Sequence, residues 1–554
     1  METKNYDAIV IGSGVGGLAT AISLGENGYK VLVIEQHDVP GGWSHSFTLE
    51  GQRFSPGVHY VGQLGEGQTA NKMYCNLGVA NDIIFFRMNP QGFEHCHVGE
   101  EKFDIPEGLE NIISAFQERF PKEKKNIDKY LRLIDRVSYQ LQLMSTFRTP
   151  LAKLLAPFKT KHVGKFGLFS LDRVIGWYVK DSYLKAFLNI QCGDHGLPPN
   201  RAAFPVHSAV MGHYLNGGYY PHGGGGGIVK GMTNAVKRHG GEILLKTAVN
   251  KIIINDNNEA VGVETSDGTV FKSNCIVSNT DPHKTYKDLI GEQYLSKRLL
   301  KKLGNTRYSV TSFILFLTLK IDLTELGIDS GNYWLMKNED INSHYSELTK
   351  EDVTLGEKFP GVFLSCTTLK DPASYNGVHH NFEVVTYVDY NCMKDFSHLK
   401  DYKSPEYLAF KEKVMNKLLN NVEELIPGAK NCIEIVELGT PLTNQFYINS
   451  TDGNVYGTEK TLRNVGPLAF KNKSEIKNLY LAGASTLSHG VSGATSSGIN
   501  AAANILNVHP SEVLSTKEDQ VLRVYDAEDR STWPEWVHTK RKTKARRVEG
   551  LLEK

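Results

Sequence analysis

The chain has 554 residues, 40% of them apolar and 22% charged, with a formal net charge of +1. That length exceeds what one compact core organises, so two or more domains are expected, and the balance excludes disordered, fibrous and strongly basic nucleic-acid-binding proteins. The 7 cysteines are scattered with no CxxC pair, which excludes a disulfide framework and a zinc site and fits a reducing, intracellular setting, so no metal is expected.

The opening segment METKNYDAIV passes into a buried strand within a few residues and leaves no room for a signal peptide. No apolar run approaches the ~18 residues of a membrane-spanning helix. A cytoplasmic protein that can lie on a membrane surface is expected. Tyr6 to Ile11 reads as a parallel strand covered on both faces, and Gly12-Ser13-Gly14-Val15-Gly16-Gly17 follows at once. Leu18, Ala19, Ile22 and Leu24 then recur at helical spacing, Gly28 ends the helix, and Lys30 to Ile34 forms a second strand with Glu35 at its carboxyl end.

Each part matches a requirement of dinucleotide binding. Gly12 permits the tight turn, Gly14 lets backbone approach a pyrophosphate, and Gly17 lets the helix pack close to the sheet. Val15 and Gly16 open the helix, whose free N–H groups and dipole favour phosphate. Glu35 stands 23 residues beyond Gly12, where an acceptor for ribose hydroxyls belongs. The second glycine pair in Pro40-Gly41-Gly42-Trp43-Ser44 resembles FAD proteins of the glutathione-reductase type, in which it runs beside the pyrophosphate and ribityl chain.

Farther along, residues 63–222 read as largely helical. Between Arg136 and Leu171 there is no acidic residue, and Arg148, Lys153, Lys159, Lys161 and Lys165 flank Leu151, Leu154, Leu155 and Phe158. Such a stripe suits docking on anionic lipid, with Pro157 a kink or stop. Gly223 to Gly227 is no second phosphate cradle, since no buried strand precedes it and no ribose acid follows it, and it reads as a flexible approach near the cofactor or else as a plain loop. A helix over 228–239 leads to strand-like runs at Ile243–Leu245, Val249–Ile254, Ala260–Glu264 and Thr269–Lys272. Cys275 to Asn279 then returns the chain to the main sheet. In the flavoproteins it resembles, the residue at Val249 meets adenine through its backbone.

Residues 286–459 are mixed, with strand candidates at Ser312–Leu317 and Phe382–Asp389. Leu479 to Ala484 is a strand ending in small residues at Gly483, followed by Ser488-His489-Gly490-Val491-Ser492-Gly493 and a small-residue helix. It resembles the flavoprotein segment that closes over the ribityl chain and aims a helix N-terminus at the flavin. The expected architecture is therefore α/β: a discontinuous Rossmann-like FAD-binding domain (1–62, 223–285 and 460–507), an inserted α+β substrate-binding domain (63–222 and 286–459), and a basic tail (508–554). No second nucleotide domain is visible, so the electron donor or acceptor is the substrate or an unidentified carrier.

Three further stretches carry a family likeness: Gly41 to Phe47 leading to Ser55-Pro56-Gly57-Val58-His59-Tyr60-Val61-Gly62; Tyr219 to Gly224; and Thr440 to Tyr447 continuing to Gly453-Asn454-Val455-Tyr456-Gly457. The chain resembles the phytoene-desaturase-like flavoproteins, in the branch of carotenoid isomerases and all-trans-retinol 13,14-saturase. Residues 486–493 lack the His-Pro-Gly usual in bacterial phytoene desaturases, which points away from plain desaturation. Trp43-Ser44 replaces the small pair of the retinol saturase. The resemblance implies FAD chemistry at double bonds of a long apolar polyene or isoprenoid lipid, as saturation, with isomerisation or desaturation as alternatives. An amine oxidase of the same general fold and a flavin-binding protein without activity are more distant readings. Saturation needs a proton donor, and His489, His59, Tyr60 and Tyr447 lie in segments the resemblance places near flavin or substrate.

Overall fold

The computed structural model describes residues 4–144, 146–148, 150–350, 352–399 and 402–552; inside the helix over 150–159, the side chains of Pro150, Ala152 and Lys153 lie outside the description. Five short parallel strands form the first sheet, in the order 242–244, 31–34, 8–11, 276–278, 479–481. In the two opening strands every residue is buried, as a sheet covered on both faces requires. The opening helix, Val15–Glu26, and the late helix, Gly490–Leu506, pack together on this sheet. Their contact is close because Gly498 has no side chain: a Cβ there would lie 2.1 Å from the Gly16 carbonyl oxygen. The strand over 242–244 belongs to this sheet, whereas 249–254, 260–265 and 270–272 form the antiparallel excursion, edged by Lys4–Asn5.

The second sheet has seven strands, ordered 433–439, 311–320, 379–388, 361–366, 332–336, 94–98, 101–105. The two strand candidates of the second insert pair antiparallel at its centre, with Leu315 opposite Val384. Both inserts contribute, since 94–98 runs parallel to 332–336. The helices of the first insert cover one side; the longest, Lys124–Met144, buries Ile127, Tyr130, Leu131, Ile134 and Val137, the i, i+3, i+4, i+7 stripe of a core-facing helix.

Two expectations are corrected. The glycine run is a packed element, not a flexible approach. Gly225 to Gly227 form the first turn of the helix Gly225–Arg238, and the backbone N–H groups of Gly225 and Gly226 donate to Ser55 Oγ (2.8 Å) and Ser46 Oγ (2.9 Å). A Cβ on Gly225 would lie 2.4 Å from the Ser44 carbonyl, so the glycines allow the helix to sit against the 44–46 and 55 segments. The C-terminal segment is likewise no appended tail. Residues 523–526 pair with 84–87, and Trp533 and Val537 share a core cluster with Phe86. The basic stretch lies in the helix Glu535–Leu552: Arg541 and Lys544 donate to the carbonyls of Pro372 and Ser374 (3.1 and 2.8 Å), and Arg541 also covers the Trp533 and Tyr375 rings. Apolar anchors between the basic residues hold it down, a pattern that charge content alone conceals.

Candidate functional site

A cleft of about 370 Å³ runs across the carboxyl ends of the parallel strands, where ligands of open α/β sheets bind. Gly12, Gly14, Val15, Gly16, Glu35, Gly41, Gly42, Trp43, Ser44, Val249, Gly483 and Val491 all line it. Gly12 holds φ at +91°, a conformation open to glycine, and its N–H donates to the Ile34 carbonyl. Gly14 caps the opening helix, and Gly42 comes within van der Waals reach of it, its would-be Cβ 3.5 Å from the Gly14 Cα. Glu35 closes one end: Oε2 accepts from the Ser13 N–H (2.9 Å) and Oγ (2.6 Å), and Oε1 from the His37 N–H (2.9 Å). A carboxylate offers about four lone-pair sites, so acceptor capacity remains toward the cleft.

Three residues expected at the cofactor do not line the cleft. Gly17 acts underneath it, where a Cβ would lie 2.2 Å from the Gly12 carbonyl oxygen. Ser492 turns its hydroxyl into the interior, where it has no partner. Gly493 allows the tight approach of Ser488, 2.8 Å from its would-be Cβ.

Asn279 was missed. Its amide stands between the glycine loop and the late segment, within 2.7–2.9 Å of the positions a Cβ would take on Gly14, Gly16 and Gly483. Its buried Oδ1 has no hydrogen-bond partner, a cost an incoming donor would relieve. Because Asn279 directly follows the strand 276–278, the carboxyl-end rule was the available signal. The dipolar helix start, the carboxylate at the ribose distance and this unsatisfied amide together fit a dinucleotide cofactor, with its diphosphate at Gly14–Gly16 and its ribose at Glu35.

The other end of the cleft, at Tyr456, Gly457, Ala484 and Gly490, abuts a cluster of packed aromatic side chains. Tyr60 stacks on Tyr214 with centroids 4.0 Å apart, and Tyr456 meets the His489 ring edge-on at 5.2 Å. The Tyr456 and Tyr387 hydroxyls are 2.9 Å apart. Three of the four expected proton donors border this region, and Tyr447 does not. Tyr447 is 44% exposed on the cleft rim, its ring 5.0 Å from that of His37.

His489 is placed near the cleft but is chemically committed. Its Nε2–H donates to the Asp194 carbonyl (3.1 Å), leaving the buried Nδ1 with a lone pair and no partner. Burial, then the charge of Lys460, pushes its pKa down to about 3. A neutral imidazole with its one N–H engaged is a poor acid. His59 donates Nδ1–H to Glu383 (3.0 Å) and lies against Phe363. Tyr60 donates to Asp194 Oδ2 at 2.6 Å. Beside them, buried Lys460 donates to the Ala484 carbonyl (2.6 Å), and desolvation lowers its pKa to about 7.

Cys192, His195 and His207 form a buried group whose potential ligand atoms lie within 4.8 Å of one another. His207 Nε2–H donates to the Leu188 carbonyl, so its Nδ1 accepts from His195 Nε2 at 3.3 Å, and the buried His195 Nδ1 is left without a partner.

Residues 10–77 match the model of the NAD(P)-binding Rossmann-like domain. An all-trans-retinol 13,14-reductase of Danio rerio is 29% identical over 91% of this chain and 86% of its own length. A prolycopene isomerase of an Oncidium hybrid cultivar is 26% identical over 87% and 80%. Over most of its length the chain is similar to retinol reductases and prolycopene isomerases. This is the branch of phytoene-desaturase-like oxidoreductases that its motifs resemble. The fold is shared more widely: an engineered putrescine oxidase superposes with a TM-score of 0.62 at 15% identity, covering 91% of this chain and 100% of that one.

Proposed function

We propose that the protein is an FAD-dependent oxidoreductase that reduces a carbon–carbon double bond of a long apolar polyene or isoprenoid lipid. The observation that carries this reading is the junction of the dinucleotide cleft with the aromatic cluster at Tyr456, Gly457 and Gly490. Gly12, Gly14 and Gly16 with the helix start would hold the diphosphate, Glu35 the ribose, Val249 the adenine, and Trp43, Ser44 and Val491 the flavin end. Bound there, FAD supplies reversible two-electron chemistry. The chain's own contribution is to orient an extended apolar chain against the Tyr60, Tyr214, Tyr387 and Tyr456 rings, to exclude water, and to manage one proton.

Anaerobic incubation of chemically reduced protein with retinol, carotenoids or polyunsaturated fatty acids tests this reading. Bleaching of the polyene with reoxidation of the flavin is the expected result. The kinship with prolycopene isomerases favours a second reading, in which a geometric isomer forms while the flavin stays reduced. Oxidation of amines with release of peroxide would replace both with an amine-oxidase activity. Protein that stays colourless after reconstitution with FAD would refute the cofactor assignment.

The substrate enters from a membrane surface in this reading. No helix among the described residues is long and apolar enough to cross a membrane. Yet Leu151, Leu154 and Phe158 are 64%, 72% and 78% exposed on the helix Pro150–Lys159. Leu168 is 81% exposed nearby, with Lys159 and Lys165 exposed around them. An apolar patch with flanking cations suits the cytoplasmic face of an anionic bilayer. The electron partner of the flavin is a carrier or a second substrate.

A further inference from the structure

The proton that accompanies reduction of an alkene needs a donor that none of the four residues expected from the sequence provides well. His489 is neutral with its N–H engaged, His59 gives its Nδ1–H to Glu383, and Tyr447 is on the far rim of the cleft. Tyr60 is itself a donor to a carboxyl group, and that group is the informative one.

Asp194 lies in the turn Ile190–His195. The turn is fixed at both sides: His489 Nε2–H donates to the Asp194 carbonyl, and a Cβ on Gly196 would lie 3.0 Å from the Tyr456 ring. The carboxyl group lies close enough to Tyr214, Tyr387 and Tyr456 for its charge to act on each, and Tyr456 lines the cofactor cleft. Asp194 keeps part of its surface accessible, whereas Tyr60, its partner, is only 6% exposed and neighbouring Glu94 and Trp334 are 0% and 2% exposed. Glu94 offers no equivalent group, because Trp334 Nε1–H is bonded to its Oε2 at 2.7 Å and it has no accessible surface.

We propose that Asp194, held by Tyr60, is the catalytic residue that delivers the proton to the double bond. The geometry divides the carboxyl: Oδ2 accepts from the Tyr60 hydroxyl at 2.6 Å, which leaves Oδ1 to carry the proton. Burial, then the charge of Glu94, raises the Asp194 pKa well above its usual 3.8, against smaller opposing effects of Tyr60 and Lys370. A carboxylic acid kept protonated near neutrality is matched to general-acid work, whereas the buried phenols of Tyr60, Tyr214 and Tyr456 are driven far above 10.

The step balances simply. The Asp194 O–H bond breaks and a C–H bond forms at one alkene carbon. The neighbouring carbon takes a hydride, and with it two electrons, which reduced FAD held by Gly12, Gly14, Gly16 and Glu35 would supply. Asp194 is left as a carboxylate, stabilised by the short Tyr60 hydrogen bond, and regains its proton from water. Tyr60 is a positioning residue. In the reverse direction the carboxylate accepts the proton.

The inference rests on the functional reading above, so its test has one arm that does not need turnover. Infrared spectra of protein labelled with ¹³C-aspartate at neutral pH should show a protonated carboxyl C=O band that disappears in Asp194→Asn and shifts in Tyr60→Phe. With a polyene that the wild type reduces in D₂O, Asp194→Asn should lose about 100-fold or more of turnover while binding flavin with an unchanged visible spectrum, and Asp194→Glu should recover part of the loss. A missing band, or Asp194→Asn turnover within about threefold of wild type, overturns the proposal. A wild type inactive on every polyene instead overturns the functional reading and leaves the band to decide the state of Asp194. If Asp194→Asn does not fold, the Tyr60→Phe band shift decides, and its absence counts against the proposal.

Discussion

Replacing Glu35 by Gln tests the ribose end of the cleft. The carboxylate accepts three hydrogen bonds from Ser13 N–H, Ser13 Oγ and His37 N–H, and Ser13 is fully buried. In Glu35→Gln the amide oxygen can serve Ser13, but its NH₂ must then face the His37 N–H, donor against donor. Hydrogen bonds to a charged partner contribute about 1.5–3 kcal/mol and neutral ones about 0.5–1.5. Weakening two bonds and losing the third costs about 3 kcal/mol of local stability. The ribose also loses a charged acceptor, worth a further 10- to 100-fold in affinity. Titration of cofactor-free protein with FAD, followed by quenching of flavin fluorescence, should show Kd rising by at least about tenfold. Ser13→Ala removes one donor to Glu35 and the acceptor of the Gly41 N–H (3.1 Å) but keeps the carboxylate for the ribose, so it should cost less than Glu35→Gln. A Glu35→Gln Kd within threefold of wild type would refute the assignment of Glu35 to the ribose.

Gly498→Ala places a methyl group 2.1 Å from the Gly16 carbonyl, so two helix backbones must separate. A loss of about 1–3 kcal/mol is expected, read as a lowered thermal midpoint together with weaker FAD binding, and an unchanged midpoint would contradict it. His213 is half-buried and accepts the Gly62 N–H at Nε2 (2.8 Å), and desolvation lowers its pKa from 6.5 to about 4. The unfolded chain therefore binds the proton first, so its contribution is complete above pH 6.5 and lost as pH falls toward 4, at up to ~1.4 kcal/mol per pH unit. His207 and His380 have the same sign. Urea midpoints should drop between pH 7 and 5, with a smaller drop in His213→Gln. Changing Leu154 and Phe158, 72% and 78% exposed, to Ser should reduce co-sedimentation with phosphatidylserine vesicles about tenfold or more, and high salt should weaken the wild type; binding insensitive to both would remove this face from the membrane reading.

The nucleotide half was legible because its chemistry is local. Strand, glycine turn, helix and Glu35 occupy consecutive residues, and the parallel register follows from buried apolar runs such as Ala8–Ile11. Asn279 escaped notice because its role depends on backbone from residues 14–16 and 483 meeting around it. The strands at 84–87, 94–98 and 101–105 also escaped. They carry Arg87, Glu94, His95, His97 and Lys102, polar residues that break the apolar pattern, and the partners Asp329 of His95 and Trp334 of Glu94 lie more than two hundred residues away. The helical glycines at 225–227 read as loop by propensity, and packing on Ser44 overrode it. Asp194 carried no local motif, and its environment is assembled from six separate segments.

The seven-stranded sheet joins residue 94 to residue 332, and the parallel sheet receives its edge strand only at 479–481. Nearly the whole polypeptide must therefore leave the ribosome before either sheet can close. Early during synthesis the hydrophobic 8–11 and 31–34 strands exist without the 276–278 neighbour that later covers an open edge. Such long-range pairing slows folding and prolongs exposure of unpaired edges. Shortened gene products ending before about residue 480 should accumulate as insoluble material, and heterologous yield should respond to chaperone supply more than to the strength of the promoter.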